Sequence, residues 1–346
     1  MIISHRIRRA FATTVFALAG LMSLVAAQSA PSRSTAAVAL GDSEISGEGA
    51  GNYEAGTNGP DNYCHRSLNA WIKRVSLGVS AHINLACSGA RSANLRIGGP
   101  GQYGEASQAD QLESVARKYA VRYVFVTVGA NDDPRFGPTA EDCVYAFVFQ
   151  TGYGCAQIDG PDWSARVTNM KPKVANAIED IKEVMEKAHY KPSSYELVVV
   201  SYGGPVPEPP LRYQGYWSKI YNGCPIYDSD SEWGHDTAAP VLDQGERDVA
   251  RAETVRFLDM VHGFYGHEIC AQGISHSQEW VRGLKYDPTS SNWWNLHSVQ
   301  QSFHPNALGH SQIARCVDGF VAQSYREGTC EIGADGNLHS QPYPPP

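Results

Sequence analysis

The sequence predicts an α/β protein in which helices cover both faces of a parallel β-sheet. Apolar, β-branched segments alternate along the chain with segments whose apolar residues recur at helical spacing. The predicted strands are apolar along their whole length, which is typical of strands that are buried on both faces. We therefore expect a three-layer α/β/α sandwich around a central parallel five-stranded sheet.

The five strands are predicted from short apolar runs that end at turn residues, at 36–40, 82–86, 123–128, 197–200 and 261–265. The run at 123–128 gives the strongest signal, because it is β-branched or aromatic throughout and is closed by Gly129. Helices are predicted at 108–119, 163–188, 241–260 and 306–325, the last with Asn306 as its N-cap. Two polar segments, 46–62 and 203–239, are predicted to be loops over one end of the sheet.

The first 27 residues have the features of a secretory signal peptide in the usual order. Arg6, Arg8 and Arg9 precede an apolar stretch at 11–27 that ends in the small residues Ala26 and Ala27. The alternative is an uncleaved membrane anchor, but the apolar run is shorter than the roughly 20 residues that a span requires. We therefore expect a secreted protein, extracellular or periplasmic, with no stable membrane insertion after removal of the signal at 1–27.

Composition and charge narrow the classes of partner. The chain has 346 residues, of which 42% are hydrophobic, and its formal net charge is -8 with no basic run. The negative net charge and the lack of a basic run argue against nucleic acid and anionic lipid surfaces as partners. We expect a monomer with a single domain at 28–330 and a disordered tail at 331–346, which ends in Gln-Pro-Tyr-Pro-Pro-Pro.

All eight cysteines follow the predicted signal, which indicates disulfides in an exported protein. Their spacing suggests the pairs Cys64–Cys87, Cys143–Cys155, Cys224–Cys270 and Cys316–Cys330, although eight cysteines allow about 105 pairings. The chain contains no C-x-x-C, and no histidine lies at zinc-ligand spacing from a cysteine pair. We therefore predict neither a metal site nor a cofactor.

Four short motifs fall where predicted strands end or where the last helix begins. In chain order they are Gly41-Asp42-Ser43, Cys87-Ser88-Gly89-Ala90, Gly129-Ala130-Asn131-Asp132 and Phe303-His304-Pro305-Asn306. Each motif alone is common in turns. Ligands of open α/β sheets bind at the carboxyl ends of the strands, so these motifs are expected to meet at one edge of the sheet.

This ordered set of Ser, Gly, Asn and His motifs resembles the SGNH hydrolase superfamily, also called the GDSL esterases and lipases. The resemblance spans about residues 36–325 and implies a flavodoxin-like fold and carboxylic-ester hydrolysis. The phrases Ala86-Cys87-Ser88-Gly89-Ala90 and Gly266-His267-Glu268-Ile269-Cys270 resemble the disulfide-bridged secreted branch. That likeness supports the first three cysteine pairs.

The resemblance assigns roles that the chemistry of ester hydrolysis requires. Ser43 is expected to be the nucleophile, and His304 is expected to be the base that removes its proton. The oxyanion hole is expected to consist of the backbone N–H groups of Ser43 and Gly89 and the side-chain amide of Asn131. The expected substrate is a small-molecule, lipid or carbohydrate ester, and the sequence does not decide among these. The mixture of aromatic and acidic residues in 203–239, in place of a strongly apolar lid, favours short acyl chains or polar esters.

One position departs from the common pattern of the family, which has an aspartate three residues before the histidine. This chain has Gln301 there. As in the disulfide-bridged relatives, we expect the main-chain carbonyl of Gln301 to orient His304; a distant acid such as Asp287 is the alternative. Asp42 is interpreted as a structural residue of the turn. The missing carboxylate also keeps open a second function, a non-catalytic glycan- or surface-binding protein on the same fold.

Several other features have simple explanations. The glycine-rich stretch 47–51 lacks the full phosphate-binding pattern and is predicted to be a flexible loop. Asp228, Asp230, Glu232 and Asp236 do not match a calcium-binding EF-hand loop and are interpreted as a hydrated acidic segment. His267 is expected to pack near a disulfide. Trp293 and Trp294 are expected either to line the substrate cleft or to belong to the core.

Overall fold

A seven-stranded sheet runs through the computed structural model, which describes residues 33–285 and 299–344. The strands lie in the order β2-β1-β3-β4-β5-β6-β7. They comprise Thr35–Gly41 (β1), Ala81–Asn84 (β2), Ala120–Thr127 (β3), Glu196–Val200 (β4), Arg256–Asp259 (β5), Glu327–Ile332 (β6) and Leu338–Pro342 (β7). Neighbours among β1 to β6 pair in parallel, and β7 is antiparallel to β6. The predicted α/β class with a largely parallel sheet is confirmed, but the sheet has seven strands and not the predicted five, because β6 and β7 were not predicted.

Helices cover both faces of this sheet, as predicted. Their bounds are Ser43–Ser46 (α1), Gln108–Lys118 (α2), Phe136–Val148 (α3), Cys155–Asp159 (α4), Trp163–Lys187 (α5), Tyr216–Tyr221 (α6), Asp228–Trp233 (α7), Ala239–Ala252 (α8) and Ala307–Val321 (α9). Val38 and Leu40 of β1 join the core cluster that contains α2, α5 and α8. Ala37 and Ala39 join the cluster on the other face, with α9. Successive residues of one strand point to opposite faces, so an uninterrupted apolar strand serves both layers.

The prediction of the fifth strand was wrong in position. Residues 261–265 form a turn, and the strand lies at Arg256–Asp259. The helix predicted over 241–260 ends at Ala252, and Thr254 beyond it has a φ of 58°, which a helix cannot contain. Buried Val255, just before the strand, and buried Phe257 and Leu258 within it continue the apolar spacing of the helix, which is why the periodicity hid the boundary.

The prediction of a disordered tail at 331–346 was also wrong for the described residues of that range, 331–344. Residues Leu338–Pro342 form β7, and Leu338 is fully buried against α9 and the sheet. The segment offers one apolar anchor among polar and proline residues, so its composition hides a strand whose pairing comes from β6. The described residues belong to one compact unit that begins at Arg33.

The segment 203–239, predicted to be a loop, contains α6, α7 and a π-helical turn at Gly234–Ala238. These helices have five or six residues, too few to show an apolar periodicity in the sequence.

All four suggested cysteine pairs form disulfides. The Cys143–Cys155 bridge ties α3 to α4, and Cys316–Cys330 ties α9 to β6.

Some predictions fall outside the described residues, namely the signal peptide at 1–27, Asp287, Trp293 and Trp294. Within 33–285 and 299–344, no helix combines the length and the apolar character that a membrane crossing needs.

The order of the strands changes direction at β1: β2 lies on one side of β1, and β3 and the later strands lie on the other. The carboxyl ends of the two strands at such a switch point, β1 and β3, form the usual ligand-binding crevice of an open α/β sheet.

Candidate active site

The turn after β1 presents Ser43 at this crevice. Gly41 has a φ of 139°, and a Cβ there would lie 1.9 Å from the carbonyl oxygen of Thr127 on β3. Only glycine fits so close to the neighbouring strand. The backbone N–H of Asp42 donates to the same oxygen (3.0 Å), and the Asp42 carboxylate caps α1 by accepting from the Glu44 N–H (3.2 Å). Ser43 is thus the first residue of a helix that starts at the end of β1.

His304 reaches this serine from a loop just before α9. Its Nε2 lies 2.8 Å from Ser43 Oγ, although the two residues are 261 positions apart in the chain. Asn306 fixes the end of that loop by accepting from the N–H groups of Leu308 (2.8 Å) and Gly309 (3.0 Å), as an N-cap does. The structure therefore brings the predicted nucleophile and the predicted base into hydrogen-bonding contact.

The group that orients His304 is not the predicted one. His304 Nδ1 lies 3.0 Å from the main-chain oxygen of Ser302, so the expected role of the Gln301 carbonyl was wrong by one residue. Phe303 has a φ of 63°, and this local reversal places the Ser302 carbonyl beside the ring. The Gln301 side chain accepts instead from Lys285 Nζ (3.2 Å). An acceptor at Nδ1 keeps the proton there and leaves Nε2 free to act as a base towards Ser43.

Burial lowers the pKa of His304, and the negative charge of Glu48 together with the Ser302 carbonyl opposes that shift. A lowered pKa keeps the imidazole neutral, and therefore basic, below its usual limit of about pH 6.5. The site is thus suited to remove a proton across the neutral and mildly acidic range.

Ser43, Gly89, Asn131 and His304 line one cavity of about 270 Å³. The Asn131 amide donates to the Ala90 carbonyl (3.1 Å), which holds it next to the Gly89 turn. Among the acceptors that the structure describes, none takes a hydrogen bond from the Gly89 N–H. Two of the three predicted oxyanion-hole residues thus sit beside each other at the cavity that holds the Ser43 hydroxyl.

Asp42 lies beneath the site and is completely buried. It accepts hydrogen bonds from the hydroxyl of Tyr202 and, at 3.4 Å, from the Asn131 amide. Burial raises the pKa of Asp42 to about 7, although the Tyr202 hydrogen bond opposes the shift. These contacts connect the Ser43 turn to the Asn131 turn, which agrees with the structural role predicted for Asp42. Tyr202 was not found from the sequence.

Sequence reasoning also missed Glu48. The stretch 47–51 was predicted to be a flexible loop, whereas Glu48 is completely buried and Gly49 packs against His304. An acid among glycines, five positions after Ser43, was the available signal.

The acidic residues of the segment 228–236 do not converge on one point. Asp228 pairs with Lys219 (2.6 Å), Asp230 accepts from the Ala156 N–H (3.0 Å), and Asp236 pairs with His235 (2.5 Å). His267 stacks on Trp280 with a ring separation of 4.0 Å.

Comparison with known proteins gives consistent matches. The model of the GDSL-like lipase/acylhydrolase family matches residues 39–312. Lipase 1 from Streptomyces coelicolor is 26% identical over 297 residues, which cover 85% of this chain and 89% of that protein. The crystal structure of an extracellular lipase from Streptomyces rimosus has a TM-score of 0.51 at 21% identity, covering 80% of this chain and 95% of the other. Phospholipase A1 from Streptomyces albidoflavus NA297 has a TM-score of 0.48 at 23% identity, with 81% and 95% covered.

Proposed function

Because the chain belongs to the GDSL-like lipase/acylhydrolase family and is a carboxylic-ester hydrolase, we propose that it acts as an exported serine esterase on esters with an apolar acyl chain. The observation that carries the mechanism is the 2.8 Å contact between Ser43 Oγ and His304 Nε2. The second possibility from the sequence, a non-catalytic binding protein, depended on the missing carboxylate at Gln301. The Ser302 carbonyl supplies the orienting acceptor there.

The reaction follows from the positions of these groups. Ser43 Oγ attacks the ester carbonyl carbon while His304 Nε2 takes its proton. The resulting imidazolium returns that proton to the leaving alcohol as the C–O bond breaks, which leaves an acyl group on Ser43. Water then attacks the acyl-enzyme by the same two proton transfers, with the same histidine as base and then as acid.

Asn131→Ala is expected to lower kcat by about 10²–10³-fold with little change in KM, because the lost amide stabilises charge that develops only on the tetrahedral oxygen. Initial rates on p-nitrophenyl butyrate test this expectation. Asn131→Asp keeps the shape but presents an acceptor, so it should be at least as inactive. A kcat for Asn131→Ala within threefold of the wild-type value would remove Asn131 from the oxyanion hole.

The walls of the cavity favour an apolar acyl group. Beyond the polar site residues, its lining includes Ala130, Val144, Pro205, Leu284, Val299 and Phe303. A second cavity of about 50 Å³ shares Phe136, Ala140, Pro205 and Phe303 with the first, and adds Trp163, Ile226 and Trp233. Each CH₂ transferred from water to such a lining contributes about 0.8 kcal/mol. We infer that the acyl chain extends from Ser43 past Phe136 into the second cavity.

Ala140 lines both cavities, so we expect Ala140→Phe to shorten the preferred acyl chain. We expect kcat/KM for p-nitrophenyl octanoate to fall at least about tenfold, while that for p-nitrophenyl acetate stays within about threefold. Ala140→Ser, which hardly changes the volume, is the control and should keep the wild-type profile.

The same series tests the substrate class. A wild-type preference for octanoate or butyrate over acetate supports an apolar acyl chain. A preference for acetate, together with release of acetate from acetylated polysaccharide, would replace that proposal by a carbohydrate esterase.

Export is part of the proposal and is supported by the four disulfides, since such bonds persist in oxidising compartments. It agrees with the signal peptide predicted at 1–27. Mass spectrometry of the protein from the culture medium, with an N-terminus near residue 28, is the expected result.

A further inference from the structure

Glu48 is a completely buried acid beside the catalytic pair, and the mechanism above does not use it. Its Oε2 accepts a hydrogen bond from Ser88 Oγ (2.7 Å) and lies 2.6 Å from His65 Nδ1. Its Oε1 accepts from the Tyr53 hydroxyl (3.3 Å). Burying a carboxylate is costly unless several donors surround it. Glu48 has such a set of partners, so the fold accommodates its carboxylate in the interior.

These contacts join the three loops that form the site. Glu48 lies on the loop that follows Ser43, and Ser88 immediately precedes Gly89. Ser88 Oγ accepts in turn from Gln300 Nε2 (2.6 Å), four residues before His304. The chain from Glu48 through Ser88 to Gln300 therefore links the nucleophile loop, the Gly89 turn and the histidine loop.

The residue after Glu48 touches the histidine directly. Gly49 has a φ of 81°, and a Cβ there would lie 3.0 Å from His304 Cβ and 3.1 Å from the Gln301 carbonyl oxygen. This close approach brings the Glu48 segment against the first side-chain carbon of His304 and the backbone of the histidine loop. The Gly49 carbonyl accepts from Arg282 Nε (2.6 Å), and the Arg282 N–H donates to the His304 carbonyl (2.9 Å).

We propose that Glu48 is a positioning residue for hydrolysis at Ser43, because its carboxylate fastens the three loops together and supplies the negative charge that the chain lacks at Gln301. The inference rests on the proposed role of Ser43 and His304. When His304 takes the Ser43 proton, a cation forms in a half-buried site, and a fixed anion nearby stabilises it without solvent reorganisation.

The charges around His304 fit this role. Among the described residues, the charged and titratable groups of the surrounding elements include Glu48, His65, Arg282, Lys285, His310, Asp42, Glu44 and, on the cavity wall, Glu141. Burial lowers the pKa of His310 to about 3, so that ring is neutral. Burial raises the pKa of Asp42 to about 7 and that of Glu44 to about 8. Both carboxyl groups are therefore only partly ionised near neutral pH. Glu48 is the acid whose charge raises the pKa of His304.

Glu48→Gln keeps the shape and removes the charge. Without the anion the imidazole becomes a weaker base, so its pKa falls and the acidic limb of kcat/KM moves to lower pH. We expect the midpoint of that limb to drop by roughly 0.5 to 1 pH unit and kcat to fall about tenfold, with KM within about threefold. Glu48→Asp should restore the midpoint. Glu54→Gln makes the same chemical change on an acid of the same loop that pairs with Lys73, and it should match the wild type.

An NMR titration of the His304 ring proton gives the same pKa without reference to activity, so it separates this inference from the proposed esterase function. If the wild type hydrolyses no ester, the function fails while the titration still tests Glu48. An unchanged midpoint and an unchanged titration in Glu48→Gln would overturn the inference, whether or not kcat falls. That outcome would mean that the Glu48 carboxylate does not stabilise the cation that forms on His304.

Ser88→Ala provides a second test that survives if Glu48→Gln does not fold. It breaks the link to Gln300 and leaves the Glu48 charge in place. We expect kcat to fall about threefold to tenfold while the midpoint stays at the wild-type value. A wild-type kcat in Ser88→Ala would contradict the positioning role of the chain from Glu48 to Gln300.

Discussion

Ser43→Ala is expected to lower kcat for ester hydrolysis by on the order of 10⁴ to 10⁶-fold, with the folded structure intact. The substitution removes the one oxygen that lies 2.8 Å from His304 Nε2. Alanine fits the first turn of α1, and the Asp42 carboxylate still caps the helix through the Glu44 N–H. Rates on p-nitrophenyl butyrate and a circular dichroism melt would measure the two properties separately.

Ser114→Ala is the matched control, because it makes the same chemical change on the exposed side of α2. It should retain full activity. A Ser43→Ala protein that still hydrolyses the ester at the wild-type rate would exclude the mechanism proposed above.

His304→Ala should cause a loss of similar size, on the order of 10⁴-fold or more, because a neutral serine hydroxyl is a poor nucleophile without a base. The two residues act as one unit, so Ser43→Ala/His304→Ala should be no slower than the worse single variant. His276→Ala, whose side chain is 70% exposed, is the control for loss of an imidazole. Losses that multiply in the double variant would show that the two side chains act independently.

The central strands of the sheet could be predicted from the sequence for a physical reason. Strands β1, β3 and β4 are buried on both faces, so their residues form uninterrupted apolar runs that were predicted within a few positions. β5 is short and follows a helix whose apolar spacing it continues, and β7 has a single apolar anchor at Leu338. Their positions depend on pairing with neighbouring strands, which local sequence does not show.

The residues of the site also fall into two groups, those that local sequence predicts and those that depend on contacts between distant segments. Ser43, Gly89, Asn131 and His304 occur in motifs at element ends, and the structure places them around one cavity. The orienting carbonyl was assigned to Gln301 instead of Ser302 because it depends on the backbone conformation of Phe303. Glu48 was overlooked because its partners Ser88 and His65 come from distant segments. A buried charge is recognisable only when the groups that compensate it are known.

The proposed mechanism requires that Ser43, activated by His304, forms the covalent intermediate. Incubation with a p-nitrophenyl phosphonate ester, followed by peptide mass spectrometry, tests it most directly. We expect one phosphonyl group per chain, attached to Ser43, with one equivalent of p-nitrophenol released and with labelling abolished in His304→Ala. An active enzyme that carries the label on another residue, or that is labelled equally fast without His304, would contradict it.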